Sequence, residues 1–345
     1  MPTGLHAAIQ NRIDAFQDLT PVEFHGLWGH SDAQFLEGRM VGAGVIDVPS
    51  YWYSPSSRSC LGFWKFTGQS LDNDAVQETT LFTLIDDVMG ELAYRVFIGT
   101  TKGKEHIGFT VNLNIKKADM APNARRFFFE ATAESVTERK VAIKCPLYDA
   151  MTGKLLLVAR AVFVFTPIAN IAKQTNVEDA NSDRDHSPGS SDVVLSLPSA
   201  RSLAADELYQ LGQVMNFLPH GTINHTRGSI SVDDKRLVVS LDFGKNISGP
   251  PIYVHGGILG TVLFNASALL FTKHTGISAT LVDAAERDIN YHRGVPLECQ
   301  NAAIEATVES SGNDKVVVFA TLMRNKHVYT TLKTIFTFPQ SSSKL

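Results

Sequence analysis

The feature that most constrains the fold is an internal repeat. Residues Glu130–Ser135 (EATAES) recur with a single substitution as Glu305–Ser310 (EATVES). Two further features recur in the same order, a Lys-Val pair and a closing segment rich in Phe that ends at a proline (140–141 and 315–316; 163–167 and 335–339). Agreement of several features in register indicates that the chain contains a duplicated structural unit.

Each copy of the unit is predicted to contain a strand, one long apolar helix and four further strands. Leu81–Phe97 has apolar residues at helical spacing, and Ile258–Phe271 is apolar on almost every side and contains no proline. A helix that is apolar all round has to be enclosed by other structure, and one antiparallel sheet wrapped around it achieves this. The sequence therefore predicts an α+β fold with two tandem helix-and-sheet domains.

Composition suggests the boundaries between these domains. Residues 168–203 include a stretch dense in Asp, Ser, Asn, Gly and Pro with few large apolar side chains, which is typical of a linker. The predicted organisation is an N-terminal extension at 1–58, a first domain at 59–167, the linker, and a second domain at 204–345.

The overall composition argues against several classes of function. The 345 residues are 44% hydrophobic and 19% charged, and the net charge of −4 gives no electrostatic attraction to nucleic acid or to an anionic membrane. No apolar run is expected to have the length of a membrane span. Three cysteines far apart in sequence indicate neither a disulfide framework nor a metal site. We therefore expect no metal and a reducing compartment, first the cytoplasm and as an alternative the mitochondrion.

Short motifs around the two helices point to a known family. His255–Gly257 (HGG) precedes the second apolar helix, and Asp288–Pro296 (DINYHRGVP) covers the strand after it. The corresponding motifs of the first half are Leu84–Asp87 (LIDD) and Asn112–Ile115 (NLNI). With these motifs, each half resembles a hotdog domain of the acyl-CoA thioesterase superfamily, the branch that includes the 4-hydroxybenzoyl-CoA and phenylacetate-pathway thioesterases. The resemblance implies two hotdog domains that form an intrachain pseudo-dimer, with active sites at their interface.

The resemblance also implies which residues carry the chemistry. In the family, glycine N–H groups at the start of the helix polarise a thioester carbonyl. An acid on the partner helix activates water or attacks, and a Ser or Thr on the next strand orients the water. The first half keeps Asp87 and Thr110 at the last two positions but lacks the glycines, whereas the second half has the glycines but carries Phe264 and Ala284 instead. These complementary losses predict one composite site and an inactive mirror site, with Phe264 assigned to substrate binding. The predicted catalytic residues are Asp87, Thr110, Asn246, His255, Gly256 and Gly257.

Simpler interpretations of these residues remain open. Adjacent helix residues point about 100° apart, so at most one of Asp86 and Asp87 is expected to face the site. His255 could serve only to cap the helix, and the glycines could serve only for close packing. His292 and Arg293 are assigned to the phosphates of coenzyme A, although solvated charges at a strand end would look the same in sequence.

The predicted function is the hydrolysis of an acyl-CoA or acyl-carrier thioester at the composite site. One alternative is a hotdog dehydratase or isomerase that uses His255 and Asp87 as a His–carboxylate pair. Another is a non-catalytic protein that binds an acyl ligand. No cofactor is expected besides the coenzyme A of the substrate, and two double hotdogs could pair further as a homodimer. The sequence does not indicate the acyl group or its length.

Overall fold

The computed structural model describes residues 4–22, 40, 45–47, 49–67, 71–72, 75–76, 78–100, 106–118, 124–169, 197, 199–212, 223–244, 247, 249, 253–279 and 283–338. The named helices are α1 (Ala7–Asp14), α2 (Glu78–Thr100), α3 (Ala205–Gly212) and α4 (Gly256–Thr275). The strands of the first half are β1 (Thr20–Val22), β2 (Ser50–Ser54), β3 (Ser59–Lys65), β4 (Leu71–Asp72), β5 (Ala75–Val76), β6 (His106–Lys117), β7 (Arg126–Val136), β8 (Lys140–Asp149) and β9 (Leu155–Pro167). Those of the second half are β10 (Ala200–Ser202), β11 (Ile223–Ser231), β12 (Arg236–Phe243), β13 (Asp283–Tyr291), β14 (Ala302–Ser311), β15 (Lys315–Arg324) and β16 (His327–Thr337).

Fourteen of these strands form one sheet whose order is symmetric about its middle. The order is β1-β2-β3-β7-β8-β9-β6-β13-β16-β15-β14-β12-β11-β10. Read inward from either edge, the two halves have the same connectivity, and they join where β6 pairs antiparallel with β13. Asn112 links the two strands further, because its amide donates to the side chains of Asp288 and Asn290, each at 2.9 Å. The two halves therefore share a continuous sheet.

Irregularities in strand pairing repeat between the halves. The register shifts between Thr110 and Asn112 in the first half and between Ala284 and Glu286 in the second. Further shifts match in the same way, at Ala133/Ser135 and Val308/Ser310, and at Leu147/Tyr148 and Leu322/Met323. Because a β-bulge is a local backbone feature, its recurrence supports the predicted duplication and makes Thr110 and Ala284 equivalent.

Each half encloses one long helix, as its apolar sequence predicts. Leu84, Val88 and Leu92 of α2 are fully or almost fully buried, and so are Ile258 and Val262 of α4. These side chains belong to one hydrophobic cluster with the inner faces of the sheet. The arrangement is two tandem hotdog domains, and the predicted α+β fold class is confirmed.

The N-terminal residues add two features to the first half. Ile9 and Ile13 of α1 pack against Leu61, Phe63 and Phe128 on the face of the sheet opposite to α2. Residues 50–54, which the sequence assigns to the N-terminal extension, form β2 beside β3, where the second half has β11 beside β12. The predicted bounds of the four segments stay predictions.

By length and composition α4 could cross a membrane, contrary to the sequence-based expectation that no run is long enough. Its mean hydropathy is 1.2 over an 18-residue window, and 61% of that window is buried inside the fold. That burial is the environment of a core helix enclosed by its own sheet.

Candidate active site

The candidate site lies where α4 begins against the side of α2. His255 is the N-cap of α4, and its Nδ1 accepts a hydrogen bond from the Gly257 N–H at 3.0 Å. The first N–H groups of a helix have no partner inside the helix, so an imidazole nitrogen stabilises the start of α4 as a capping oxygen would. The simple capping role of His255 is therefore present in the structure.

The other ring nitrogen of His255 reaches across to the first half. His255 Nε2 lies 2.5 Å from Asp87 Oδ1. Since Nδ1 accepts the Gly257 N–H, the ring proton belongs on Nε2, which donates to the carboxylate. Burial opposes a charged ring, but the carboxylates of Asp87 and Asp86 prevail and raise the pKa of His255 to about 9. Nδ1 thus acts as an acceptor in this structure, whereas the two carboxylates favour a second proton on the ring.

Asp86 also faces this site, so the expectation that only one of the two acids does so is wrong. Its Oδ1 accepts a hydrogen bond from the Thr110 hydroxyl at 3.0 Å, and its Oδ2 lies 3.8 Å from His255 Nδ1. Asp86 is 4% exposed. Burial raises the pKa of Asp86, although His255 and the Thr110 hydroxyl act in the opposite direction.

The helix starts explain why the two acids are easily confused in sequence. Asp86 is eight residues after Glu78, the first residue of α2, and Phe264 is eight residues after Gly256, the first residue of α4. By this count Phe264 corresponds to Asp86, whereas alignment of the motifs sets Phe264 opposite Asp87. The hydrogen bond of Thr110 agrees with the count from the helix starts.

Both glycines permit the close approach of α2 and α4. A Cβ added to Gly257 would lie 2.7 Å from the Cα of Thr83, and one added to Gly256 would lie 2.8 Å from Asp86 Oδ2. Close packing is therefore one reason for glycine at both positions. Gly257 N–H is occupied by the His255 ring, whereas no acceptor for Gly256 N–H is found within the described part of the chain.

Asp87 has an oxygen that the fold leaves unpaired. Its Oδ2 is buried and has no hydrogen-bond partner among the described residues, while Oδ1 is held by His255. A buried acceptor without a partner costs about 1–3 kcal/mol, so a water or a ligand group is expected there. The side chain as a whole is 16% exposed, and the site is therefore not sealed.

Tyr291 belongs to the site, although no sequence pattern singles it out from the motif that contains it. Its hydroxyl donates to the carbonyl oxygen of Gly256 at 2.9 Å. Burial raises the pKa of Tyr291 well above its ordinary value, and the nearby Asp86 carboxylate acts in the same direction. Tyr291 therefore keeps its proton and acts as a donor.

The remaining predicted residues lie in different places. Asn246 is outside the described residues. His292 and Arg293 follow β13, and the ring of His292 contacts the Thr331 hydroxyl at 3.2 Å. Their assignment to coenzyme A stays a prediction.

The predicted mirror site is filled by an aromatic and cationic cluster. The guanidinium of Arg287 lies 4.0 Å from the ring centre of Phe82 and 3.8 Å from that of Phe264. Phe264 also stacks on Phe336, with ring centroids 6.1 Å apart. Arg287 is only 2% exposed. The acid position of this half therefore holds a packed ring, and the substrate-binding role of Phe264 stays a prediction.

A second buried carboxyl lies one helical turn beyond Asp87. Glu91 is 6% exposed, its Oε1 lies 3.3 Å from Arg95 Nε, and this oxygen has no hydrogen-bond partner in the described residues. Burial raises the pKa of Glu91 to about 8, against the opposing charge of Arg95.

In the part of the chain that the structure describes, no three His, Cys, Asp or Glu side chains are grouped to hold a metal ion.

Comparisons with known proteins concern the fold. No protein-family model matches the chain, and no curated protein matches its sequence. The tesB protein of Mycobacterium avium subs paratuberculosis is 10% identical, with a TM-score of 0.48, over 81% of this chain and 93% of that protein. The 12:0-ACP thioesterase of Umbellularia californica is 10% identical, with a TM-score of 0.49, over 81% and 94%. Acyl-CoA thioesterase II TesB2 of Mycobacterium marinum is 8% identical, with a TM-score of 0.48, over 86% and 96%. The activities in these names belong to those proteins.

Taken together, the described residues of the site offer one backbone donor without an acceptor among them, and two carboxyl groups in different surroundings. The donor is Gly256 N–H at the start of α4, where the helix favours negative charge. Asp87 is held by a hydrogen bond to its Oδ1, and Asp86 is a buried carboxyl whose neutral form is favoured. Such a set can polarise a carbonyl, accept a proton and donate a proton.

Proposed function

We propose that the protein hydrolyses an acyl-CoA or acyl-carrier thioester at the single composite site between its two hotdog halves. The observation that carries this proposal is the meeting of Asp86 and Asp87 of the first half with the free N–H end of α4 in the second. Thioester hydrolysis needs a donor for the carbonyl oxygen and a base for water, and each half alone lacks one of them.

In the proposed reaction Asp87 is the base. Water loses a proton to Asp87 Oδ2 as its oxygen bonds to the thioester carbon, and Gly256 N–H stabilises the negative charge that develops on the carbonyl oxygen. Loss of one such donor typically costs about 2.7–4 kcal/mol. The intermediate then expels the thiol sulfur, and a proton from Asp86 leaves with it.

This division of roles follows from the surroundings of the two acids. Groups whose environments push their proton affinities apart are suited to acid and base work at one pH. Burial favours the protonated form of Asp86, although the charge of His255 and the hydrogen bond from Thr110 act in the opposite direction. Asp87 receives a hydrogen bond from His255 and has a second oxygen that no described residue satisfies. The proton that Asp87 gains returns to Asp86 through solvent after the products leave. Direct attack by Asp87 on the carbonyl is the alternative that the same geometry allows.

The test is hydrolysis of a panel of short, medium and aromatic acyl-CoAs, followed as free thiol. Asp87→Asn should lower kcat by at least about 100-fold, the usual contribution of a general base. Asp86→Asn should have a smaller effect, because a thiolate is a good leaving group. Asp314→Asn, at an exposed turn, is the matched control. Undiminished hydrolysis by Asp87→Asn would remove Asp87 from the mechanism, and a wild type that releases no thiol from any substrate would remove the function.

A second candidate is a hotdog dehydratase or isomerase, favoured by the 2.5 Å contact between His255 and Asp87. Against it, both ring nitrogens are engaged, so the ring would have to release Asp87 or Gly257 to take a substrate proton. A change in double-bond absorbance without release of thiol would support this candidate instead.

We place either reaction in the cytoplasm, where the buried free cysteines Cys60, Cys145 and Cys299 would stay reduced.

A further inference from the structure

A chain of hydrogen bonds in one direction connects Tyr291 to Asp87. The Tyr291 hydroxyl donates to the Gly256 carbonyl at 2.9 Å, and the N–H of the same peptide unit, that of Gly257, donates to His255 Nδ1 at 3.0 Å. His255 Nε2 then lies 2.5 Å from Asp87 Oδ1. Each donation polarises the next donor in such a chain. The chain starts on a strand of the second half and ends on a carboxylate of the first.

We propose that Tyr291 is a positioning residue, which acts through this chain to fix the orientation of the His255 ring, with Nε2 as the donor to Asp87. The proposal rests on the proposed function, in which Asp87 is the base. The Tyr291 hydroxyl donates to a backbone carbonyl, that of Gly256, and acts on Asp87 only through the chain. It fixes the plane of the Gly256–Gly257 peptide, the peptide fixes which nitrogen of His255 carries the proton, and His255 fixes one oxygen of Asp87 so that the other is available to water.

The charges around His255 explain why such a device is needed. Asp86 and Asp87 face the ring from α2, and Tyr291 approaches the adjoining peptide from β13. The two carboxylates favour an imidazolium and raise the pKa of His255 to about 9. Because Nε2 already carries a proton, the second proton has to enter at Nδ1, where it displaces the Gly257 N–H. The peptide held by Tyr291 therefore opposes this second protonation. A ring protonated at Nδ1 would lose its bond to Gly257 and its fixed orientation toward Asp87.

Tyr291→Phe tests this role, because it removes the donor and keeps the ring. We expect kcat to fall by about 3- to 10-fold, the effect of one hydrogen bond, with KM within about twofold. The pH of half-maximal kcat on the acidic side should rise by up to about one unit, because a protonated His255 persists to higher pH. Tyr209→Phe, which changes a 60% exposed tyrosine on α3, is the matched control.

Nitrogen NMR of the His255 ring gives a readout that does not require turnover. In protein labelled with ¹⁵N-histidine, the signal missing in His255→Gln identifies the ring. In Tyr291→Phe, Nδ1 should become protonated at a higher pH than in the wild type. Replacement of Tyr291 by 3-fluorotyrosine, a stronger donor of nearly the same shape, should move the same midpoint in the opposite direction, and it serves if the phenylalanine variant does not fold.

The two proposals fail in different ways. A wild type that hydrolyses no thioester ends the proposed function, while the nitrogen titration still tests the chain. An unchanged His255 titration and an unchanged pH profile in a folded Tyr291→Phe protein would overturn the positioning role. So would a loss confined to melting temperature, since that is the mark of a purely structural contact.

Discussion

Replacing Glu91 by glutamine should remove a large dependence of stability on pH. Glu91 is 6% exposed, and burial raises its pKa from 4.5 to about 8 in the folded protein. Between these two pH values the unfolded chain has lost the proton and the folded chain retains it. The folded state then binds more protons, so the free energy of unfolding falls as pH rises from 4.5 to 8. Below pH 4.5 both states are protonated, and the group contributes no difference.

The size of this effect follows from the two pKa values. They differ by about 3.5 (8 − 4.5), and each pKa unit corresponds to about 1.36 kcal/mol, which sets a ceiling of about 5 kcal/mol. Rearrangement around the charge and entry of water lower this value, so we expect about 2–4 kcal/mol. That is a large part of the total stability of a typical domain. Glu91→Gln retains the shape and cannot ionise.

The assay is urea denaturation of the wild type and Glu91→Gln at pH 5, 6, 7 and 8. The free energy of unfolding of the variant should rise relative to that of the wild type at each step, and the rise should level off as the pH reaches about 8. Glu138→Gln, at an exposed position, provides the control and should show no trend. A stability difference that does not change with pH would refute the reasoning, because it would mean that Glu91 ionises equally easily in both states.

Three further predictions test the packing and the polar contacts of the site. Gly257→Ala should lower stability by about 1–3 kcal/mol in denaturation experiments, because the new Cβ would lie 2.7 Å from the backbone of Thr83. Gly256→Ala should lower both kcat and the melting temperature, because the new Cβ would lie 2.8 Å from Asp86 Oδ2 and would displace a buried carboxyl that Thr110 holds. Thr110→Val should destabilise the fold more at pH 8 than at pH 5 in urea titrations, because its hydroxyl favours the ionised form of Asp86. An equal loss at both pH values would contradict that account.

The duplication and the enclosed helices could be predicted from the sequence because both depend on patterns that repeat along it. The copies Glu130–Ser135 and Glu305–Ser310 fall on β7 and β14, which occupy equivalent places in the sheet. The apolar surface of Ile258–Phe271 predicts burial without any knowledge of the neighbours. The meeting of Asp87 and His255 across the interface also followed from the complementary losses of the two halves.

The finer contacts of the site could not be predicted, since they depend on how two helices are rotated against each other. A rotation of about 100° separates Asp86 from Asp87 on a helix, and sequence does not reveal that the crossing point lets both reach His255. Tyr291 acts through a backbone carbonyl, which leaves no pattern of side chains to find. The burial of Glu91 breaks the apolar periodicity of α2, and only its surroundings show that a carboxyl is tolerated there.

The join between β6 and β13 has a consequence for how such a protein can change over time. Two identical subunits paired through these strands would have to carry every substitution twice, once in each copy of the interface. With both units on one polypeptide, a mutation alters one side only. One cleft can then lose its acid and accumulate Phe264 and Arg287 as packing, while the opposite cleft keeps the reactive groups. Covalent linkage thus turns a symmetric assembly into one in which selection acts separately on the two clefts.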